Sequence, residues 1–186
     1  IYPFITHQVP VWFWRFPPLY WPGMTIAPPT ELFEAARRAH FAVTIHEAVD
    51  FEGMRRAGRL AAEVLDLLVP LVKPGVITAA LDKVAYDYII AHGAIPACLG
   101  YRGYRHTVCT SINHVVCHGI PNDKPLRDGD VVNIDVTVIL DGWHGDTSRM
   151  YPVGEVKRKP ERLVEITYDA MMLGIAAVKP GATTGD

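Results

Sequence analysis

"VVNIDVTVILDGWHGDTSRMYPVG", Val131 to Gly154, is the stretch that decides how this chain folds. Apolar and polar residues alternate from Val132 to Val138. An Asp-Gly pair then interrupts the run, and β-favouring residues resume at Trp143. Asp-Gly between two such runs is a strong short-range signal for a two-residue hairpin loop. With that loop Leu140 faces Trp143, Thr137 faces Asp146 and Asp135 faces Ser148. Side chains alternate across a strand, so Asp135, Thr137 and Asp146 share one face. The two carboxylates become diagonal neighbours, with Cβ atoms roughly 6 to 8 Å apart. Val136, Val138 and Leu140 point to the opposite, buried face.

Two carboxylates on one face repel each other and are costly to desolvate without a partner. Two arrangements satisfy them. In one, the face is open and both are solvated. In the other, a cation lies between them, and the separation suits a two-metal site whose ions are about 3.5 to 4 Å apart. Spacing alone leaves both readings open.

Outward from the hairpin the pattern turns helical. "FEGMRRAGRLAAEVLDLLVPLVKPG" puts Met54, Ala57, Ala61, Val64, Leu65, Leu68 and Val72 on one helix face, with Pro74-Gly75 as the stop. "ITAALDKVAYDYIIAHG" predicts a second helix with Leu81, Val84, Ala85, Tyr88 and Ile89 inward. Thr78 is its expected N-cap, and Gly93 lies just beyond its end. "HTVCTSI" reads as a further strand. "PERLVEITYDAMMLGIAAVKPG" reads as a third helix with Pro160 in its first turn. The fold class expected from these elements is α/β (α+β).

The helix endings repeat. "LVKPGVIT" (Leu71 to Thr78) and "AVKPGATT" (Ala177 to Thr184) are offset by 106 residues, each after an amphipathic helix. This points to an internal duplication of two half-domains, of which the second is only begun by Asp186.

Composition narrows the function classes. At 186 residues and 49% hydrophobic the chain can bury a real core, and a formal charge of −2 leaves no basic footprint for nucleic acid. No apolar run reaches membrane-spanning length; the longest, "LAAEVLDLLVPLV", is broken by Glu63, Asp66 and Pro70. Three cysteines, Cys98, Cys109 and Cys117, without CxxC spacing argue against a disulfide framework and suit a reducing compartment. Residues 1–23 differ from the rest, with three of the four tryptophans, five of the 15 prolines and no acidic residue. They show neither a 3.6 nor a 2 period and make a poor signal peptide. The expectation is an atypical segment, disordered or not native, ahead of a domain covering residues 24–186 that starts at Met24.

The motifs "SINHVVCHGIP", "DGDVVNIDVTV" and "DGWHGDTSRMY", in that order, resemble type 1 methionine aminopeptidases of the bacterial or organellar kind. The resemblance runs from about Ile45 to Asp186 and implies the pita-bread fold, two pseudo-symmetric halves around a dinuclear metal centre. It makes Asp135 and Asp146 metal ligands, with a histidine and two glutamates of the second half completing the set. It gives His118 a substrate-contacting role that stabilises developing negative charge. Cys98, Tyr101, Tyr104 and Cys109 would line the pocket for the substrate's methionine side chain, whose polarizable thioether favours aromatic contacts, while His118 would bind the substrate at the scissile bond. Asn113 and Val115 match a monovalent-cation site. The implied cofactors are two divalent ions (Co, Mn, Fe or Zn) that activate water and polarise the carbonyl.

The implied reaction is removal of the initiator methionine from nascent proteins and peptides. It would take place in the cytoplasm, by a monomer when complete, with ribosome association and no membrane or nucleic-acid partner. With two of five expected ligands, the 186 residues alone are expected to be inactive. Two other readings compete: a proline-specific pita-bread peptidase, and a non-catalytic pita-bread binding module. The motifs around Cys98 to Cys109 and His118 argue against the first, and retention of both aspartates argues against the second.

Overall fold

The computed structural model describes residues 46–185, so residues 1–23 and the Met24 start lie outside the described part. Helix α1 (Ala48–Leu68) opens the described chain, with the Asp50 carboxylate accepting the Glu47 N–H at 2.9 Å across its first turn. Gly53, Ala57, Leu60, Ala61, Val64, Leu65 and Leu68 form its buried stripe, at the spacing of one helix face. The helix ends at Leu68, earlier than the Pro74-Gly75 stop predicted from the apolar pattern. Pro70 has no N–H to continue the ladder, so the regular bonding stops although Val69 before it keeps helical φ and ψ (−49°, −54°). The last turn tightens instead, with Val69 N–H on the Asp66 carbonyl (3.2 Å) and Leu71 N–H on the Leu68 carbonyl (3.0 Å).

Helix α2 (Thr78–Ala91) buries Thr78, Leu81, Ala85 and Ile89. Its N-cap is Ile77, not Thr78. The Thr78 hydroxyl instead accepts the Asn122 N–H at 2.9 Å, so it ties the helix start to a distant loop rather than capping its own helix. Gly93 follows the helix with φ of +72°, as expected of a residue just past a helix end.

Among the described residues four strands make one antiparallel sheet: β1 (Ile95–Pro96), β2 (Val108–Ile112), β3 (Val131–Leu140) and β4 (Trp143–Pro152). β3 is central. β4 pairs along its whole length, while β2 and the short β1 share the other edge end to end, opposite Val132–Val136 and Val138–Ile139. Val132, Ile134, Val136 and Val138 are fully buried, in one core with Val64, Leu65 and Leu68 of α1 and Leu81, Ala85 and Ile89 of α2. Each such side chain stabilises the fold by about 1.5 to 3 kcal/mol relative to exposure.

The α1 contact with the hairpin is close because small residues meet. Trp143 lies over Gly53, and Gly145 sits against the peptide unit joining Ala57 to Gly58. The Tyr151 hydroxyl donates to the Leu65 carbonyl at 2.7 Å in the buried interior. That carbonyl lies in the turn where Val69 N–H goes to Asp66 instead.

Helix α3 (Arg158–Ala177) carries Pro160 in its first turn and has no buried residue among those described. Leu163, Ile166, Met171 and Leu173 are exposed. The two Lys-Pro-Gly segments adopt one turn. Gly75 and Gly181 have φ of +89° and +87°, and each turn closes the same way, Val76 N–H on Lys73 O (3.2 Å) and Ala182 N–H on Lys179 O (3.0 Å). The repeat read in the sequence is therefore also a repeat of backbone geometry. No helix is long and apolar enough to cross a membrane among the described residues.

Candidate metal centre and substrate pocket

Asp141 and Gly142 have φ of +50° and +83°, the paired positive values of a type I′ turn, so the loop has two residues. The register follows: Leu140 opposite Trp143, Thr137 opposite Asp146, Asp135 opposite Ser148. On β3 the even positions from Val132 to Val138 are buried, which puts Asn133, Asp135 and Thr137 on the other face. Asp146 joins them from β4, half-buried and diagonal to Asp135, and His144 precedes it on the same face. The Thr137 hydroxyl donates to Asp146 Oδ1 at 3.0 Å.

The two carboxylates act on each other. Burial pushes the Asp135 carboxyl above its ordinary range, the Asp146 charge adds to that, and His118 pulls it back. Half-buried like charges of this kind form a donor set for a hard or borderline cation, whose charge would remove both penalties. The oxygen chemistry therefore fits a divalent ion. Among the described residues no group of three or more His, Cys, Asp or Glu side chains is placed to hold one.

Around Asp135 the other predicted residues gather unequally. Cys109 lies directly opposite it on β2. The Cys98 and Cys109 thiols act on each other, which draws the Cys109 thiol below its ordinary range and pushes Cys98 up. All three cysteines are free. The Tyr104 hydroxyl donates to the Val108 carbonyl at 2.8 Å, beside Cys109, and burial pushes its ionisation up. Buried Cys109 and half-buried Cys98 and Tyr104 thus form one cluster on the carboxylate face.

Tyr101 stands apart, 64% exposed, with the Arg102 guanidinium 5.5 Å from its ring centre. Asn113, with φ of +53°, uses its side chain at the start of β3: it accepts the Val131 N–H (3.1 Å) and donates to Asp130 (2.8 Å). Val115 sits in the exposed loop beyond it, its N–H on the Ile112 carbonyl at 3.1 Å.

His118 is exposed and has φ of +56°. The backbone after it is pinned to β2, Thr110 N–H donating to the Gly119 carbonyl (2.7 Å) and Gly119 N–H to the Ser111 hydroxyl (3.1 Å). A side chain at Gly119 would collide with the Thr110 carbonyl, so only glycine lets the loop approach this closely. That close seat brings His118 near enough for its charge to act on both Asp135 and Cys109. Thr137 is a member of the site that the sequence pattern places on this face without giving it a role. Its position opposite Asp146 follows from the hairpin register, but its hydrogen bond to the carboxylate required the side chains.

Fold and site together define a class. Residues 52–186 match metallopeptidase family M24, and the chain belongs to that family. Within it the similarity is to methionine aminopeptidases. The chain is 62% identical over 144 residues to the methionine aminopeptidase of Rickettsia prowazekii (strain Madrid E), covering 77% of this chain and 56% of that protein. It is 57% identical over 142 residues to the methionine aminopeptidase of Salmonella typhimurium, covering 75% and 54%. The crystal structure of the Rickettsia prowazekii enzyme superposes with a TM-score of 0.76, over 77% of this chain and 58% of that one. The fold is that of the pita-bread M24 peptidases. The chain spans about half the length of the curated relatives it matches.

Proposed function

We propose that this chain carries the amino-terminal part of a methionine aminopeptidase centre, which hydrolyses the peptide bond after an initiator methionine of nascent proteins and peptides in the cytoplasm. The observation that carries the reading is the pairing of Asp135 and Asp146 on one hairpin face. Similarity at 62% identity to a protein named methionine aminopeptidase supports the substrate class.

In this reading Asp135 and Asp146 would hold divalent ions, Co, Mn, Fe or Zn. Such ions supply an activated water and polarise the scissile carbonyl when bound. His118 donates a hydrogen bond to the oxygen on which negative charge develops, a contribution that grows in the transition state. Cys98, Tyr104 and Cys109 offer the methionine thioether a soft, largely buried wall, and Tyr101 would have to move toward it to join the pocket. Asn113 and Val115 would serve a monovalent ion at the margin. The acting form is a monomer that works on chains emerging from the ribosome.

The test is peptide hydrolysis by the full-length protein loaded with Co(II) or Mn(II). A Met-Ala-type peptide should be cleaved and an Xaa-Pro peptide should not. Asp135→Ala, Asp146→Ala and His118→Ala should each lose about 100-fold or more in kcat/KM, the scale on which removing one stabilising donor acts. The 186 residues alone should release little methionine. Unchanged turnover in Asp146→Ala would remove the metal assignment, and preference for the Xaa-Pro peptide would replace the substrate.

A further inference from the structure

We propose that Thr137 is a positioning residue of the candidate metal centre: its hydroxyl holds the Asp146 carboxylate in the orientation that receives the cation. The inference rests on the reading of Asp146 as a ligand and deepens it.

The geometry is built by the hairpin. Counting back from the Leu140–Trp143 pair that closes the two-residue loop, antiparallel pairs alternate between hydrogen-bonded and non-hydrogen-bonded. Thr137 and Asp146 fall on a non-hydrogen-bonded pair, where Cα atoms approach to about 4.5 Å and side chains come closest. The opposite edge agrees, because the Thr137 carbonyl accepts the Ala97 N–H at 2.9 Å and so points away from β4. Its hydroxyl, on the carboxylate face, donates to Asp146 Oδ1 at 3.0 Å.

The residue type suits the task. A β-branched side chain has few χ1 states, so the donor is aimed at little entropic cost. Its chain neighbours Val136 and Val138 are fully buried, which anchors the strand at this point. A carboxylate is acceptor-only with about four lone-pair sites, so one donor on Oδ1 fixes its plane and leaves capacity for a cation. Hydrogen-bond partners of ligating carboxylates have this orienting effect, and their loss costs about 10- to 100-fold in metal affinity.

The test uses the full-length protein and Co(II) alone as probe, read by titration of the visible absorption band and by calorimetry. Thr137→Val keeps the shape and β preference but removes the donor. Its Co(II) dissociation constant should rise about 10- to 100-fold while metal-free thermal unfolding stays within a few degrees. Thr137→Ser restores the donor and should return affinity to within a few-fold of the parent. Asp146→Ala serves as reference and should lose the band. If Asp146→Ala loses Co(II) but Thr137→Val binds like the parent, the positioning role is overturned and the ligand reading stands. If Asp146→Ala binds Co(II) as the parent does, the ligand reading falls and takes the positioning role with it. A drop in metal-free stability that tracks the loss of affinity, with no rescue by serine, would mark Thr137 as a hairpin residue only.

Discussion

Replacing Gly145 by alanine tests the link between core and site most directly. Gly145 lies on β4 one residue before Asp146, with its Cα against the peptide unit between Ala57 and Gly58 of α1. An added methyl would overlap the Ala57 carbonyl, and Ala57 is fully buried. Overpacking a core costs about 1 to 3 kcal/mol when side chains can give way. Here the obstacle is helix backbone, so the upper end, about 3 kcal/mol, is the expected loss. For a domain of this size each kcal/mol is worth roughly 2 to 4 °C, so the melting temperature of the metal-free protein should fall by about 6 to 12 °C. Circular dichroism melts measure it. Trimming Ala57 to glycine in the variant should not rescue it, because the clash is with the carbonyl. Relief of the clash must push the hairpin off α1, so Co(II) affinity should fall as well. A melt within a degree or two of the parent, or full rescue by Ala57→Gly, would refute the close-approach argument.

Tyr151→Phe leaves the Leu65 carbonyl without its donor and should cost about 1 to 2 kcal/mol at pH 8, read from urea midpoints. Burial raises the Tyr151 phenol above its unfolded value near 10, so its contribution is complete below about pH 10 and lost at higher pH. The gap between parent and Phe variant should therefore narrow at about pH 11, and a gap that widens there would contradict the buried-phenol assignment. Asp135→Asn should make the metal-free protein more stable at pH 7. The folded carboxyl is raised, by burial first, so its contribution is favourable below an unfolded pKa of about 4 and is lost as pH rises through the folded value. The advantage should vanish below about pH 4, and Co(II) binding should weaken in the same variant. A less stable metal-free Asp135→Asn at neutral pH would show that the carboxylate is satisfied as it stands.

How much of this was legible depended on the range of the interaction involved. The Asp-Gly turn, the register of β3 on β4 and the shared face of Asp135 and Asp146 are set by residues within about one hairpin, and the observed pairing is the one the pattern predicts. The Lys-Pro-Gly repeat was legible for the same reason, since its two turns close on their own residues. Where a residue answers to a distant partner, reading failed. Thr78 looked like a cap, but its hydroxyl pairs with Asn122, 44 residues away. Helix α1 looked continuous to Pro74 because its apolar spacing runs through Pro70, and the missing N–H outweighed the pattern. The thiol pair of Cys98 and Cys109 exists because β1 and β2 share one edge of β3, which no local signal announces. Strand β1 itself, two residues long, has no period to read.

Strict alternation also explains why the candidate site can be rigid while carrying unfavourable charge. Asp135 stands between Ile134 and Val136, both fully buried, and Asp146 follows Gly145, which is buried against α1. Neither carboxylate can retreat from the other without moving a core residue on the opposite face. Displacing one such side chain would forfeit about 1.5 to 3 kcal/mol of burial. The Coulomb repulsion of two charges roughly 7 Å apart is about 2 kcal/mol at an effective dielectric near 20, and solvent access lowers it further. The core term is of the same size as the unscreened repulsion and exceeds it once solvent screens the charges, so the hairpin keeps the two carboxylates facing each other rather than relaxing them apart. A divalent cation between them would turn that repulsion into attraction without any rearrangement of the sheet, which is the condition for a preorganised metal site.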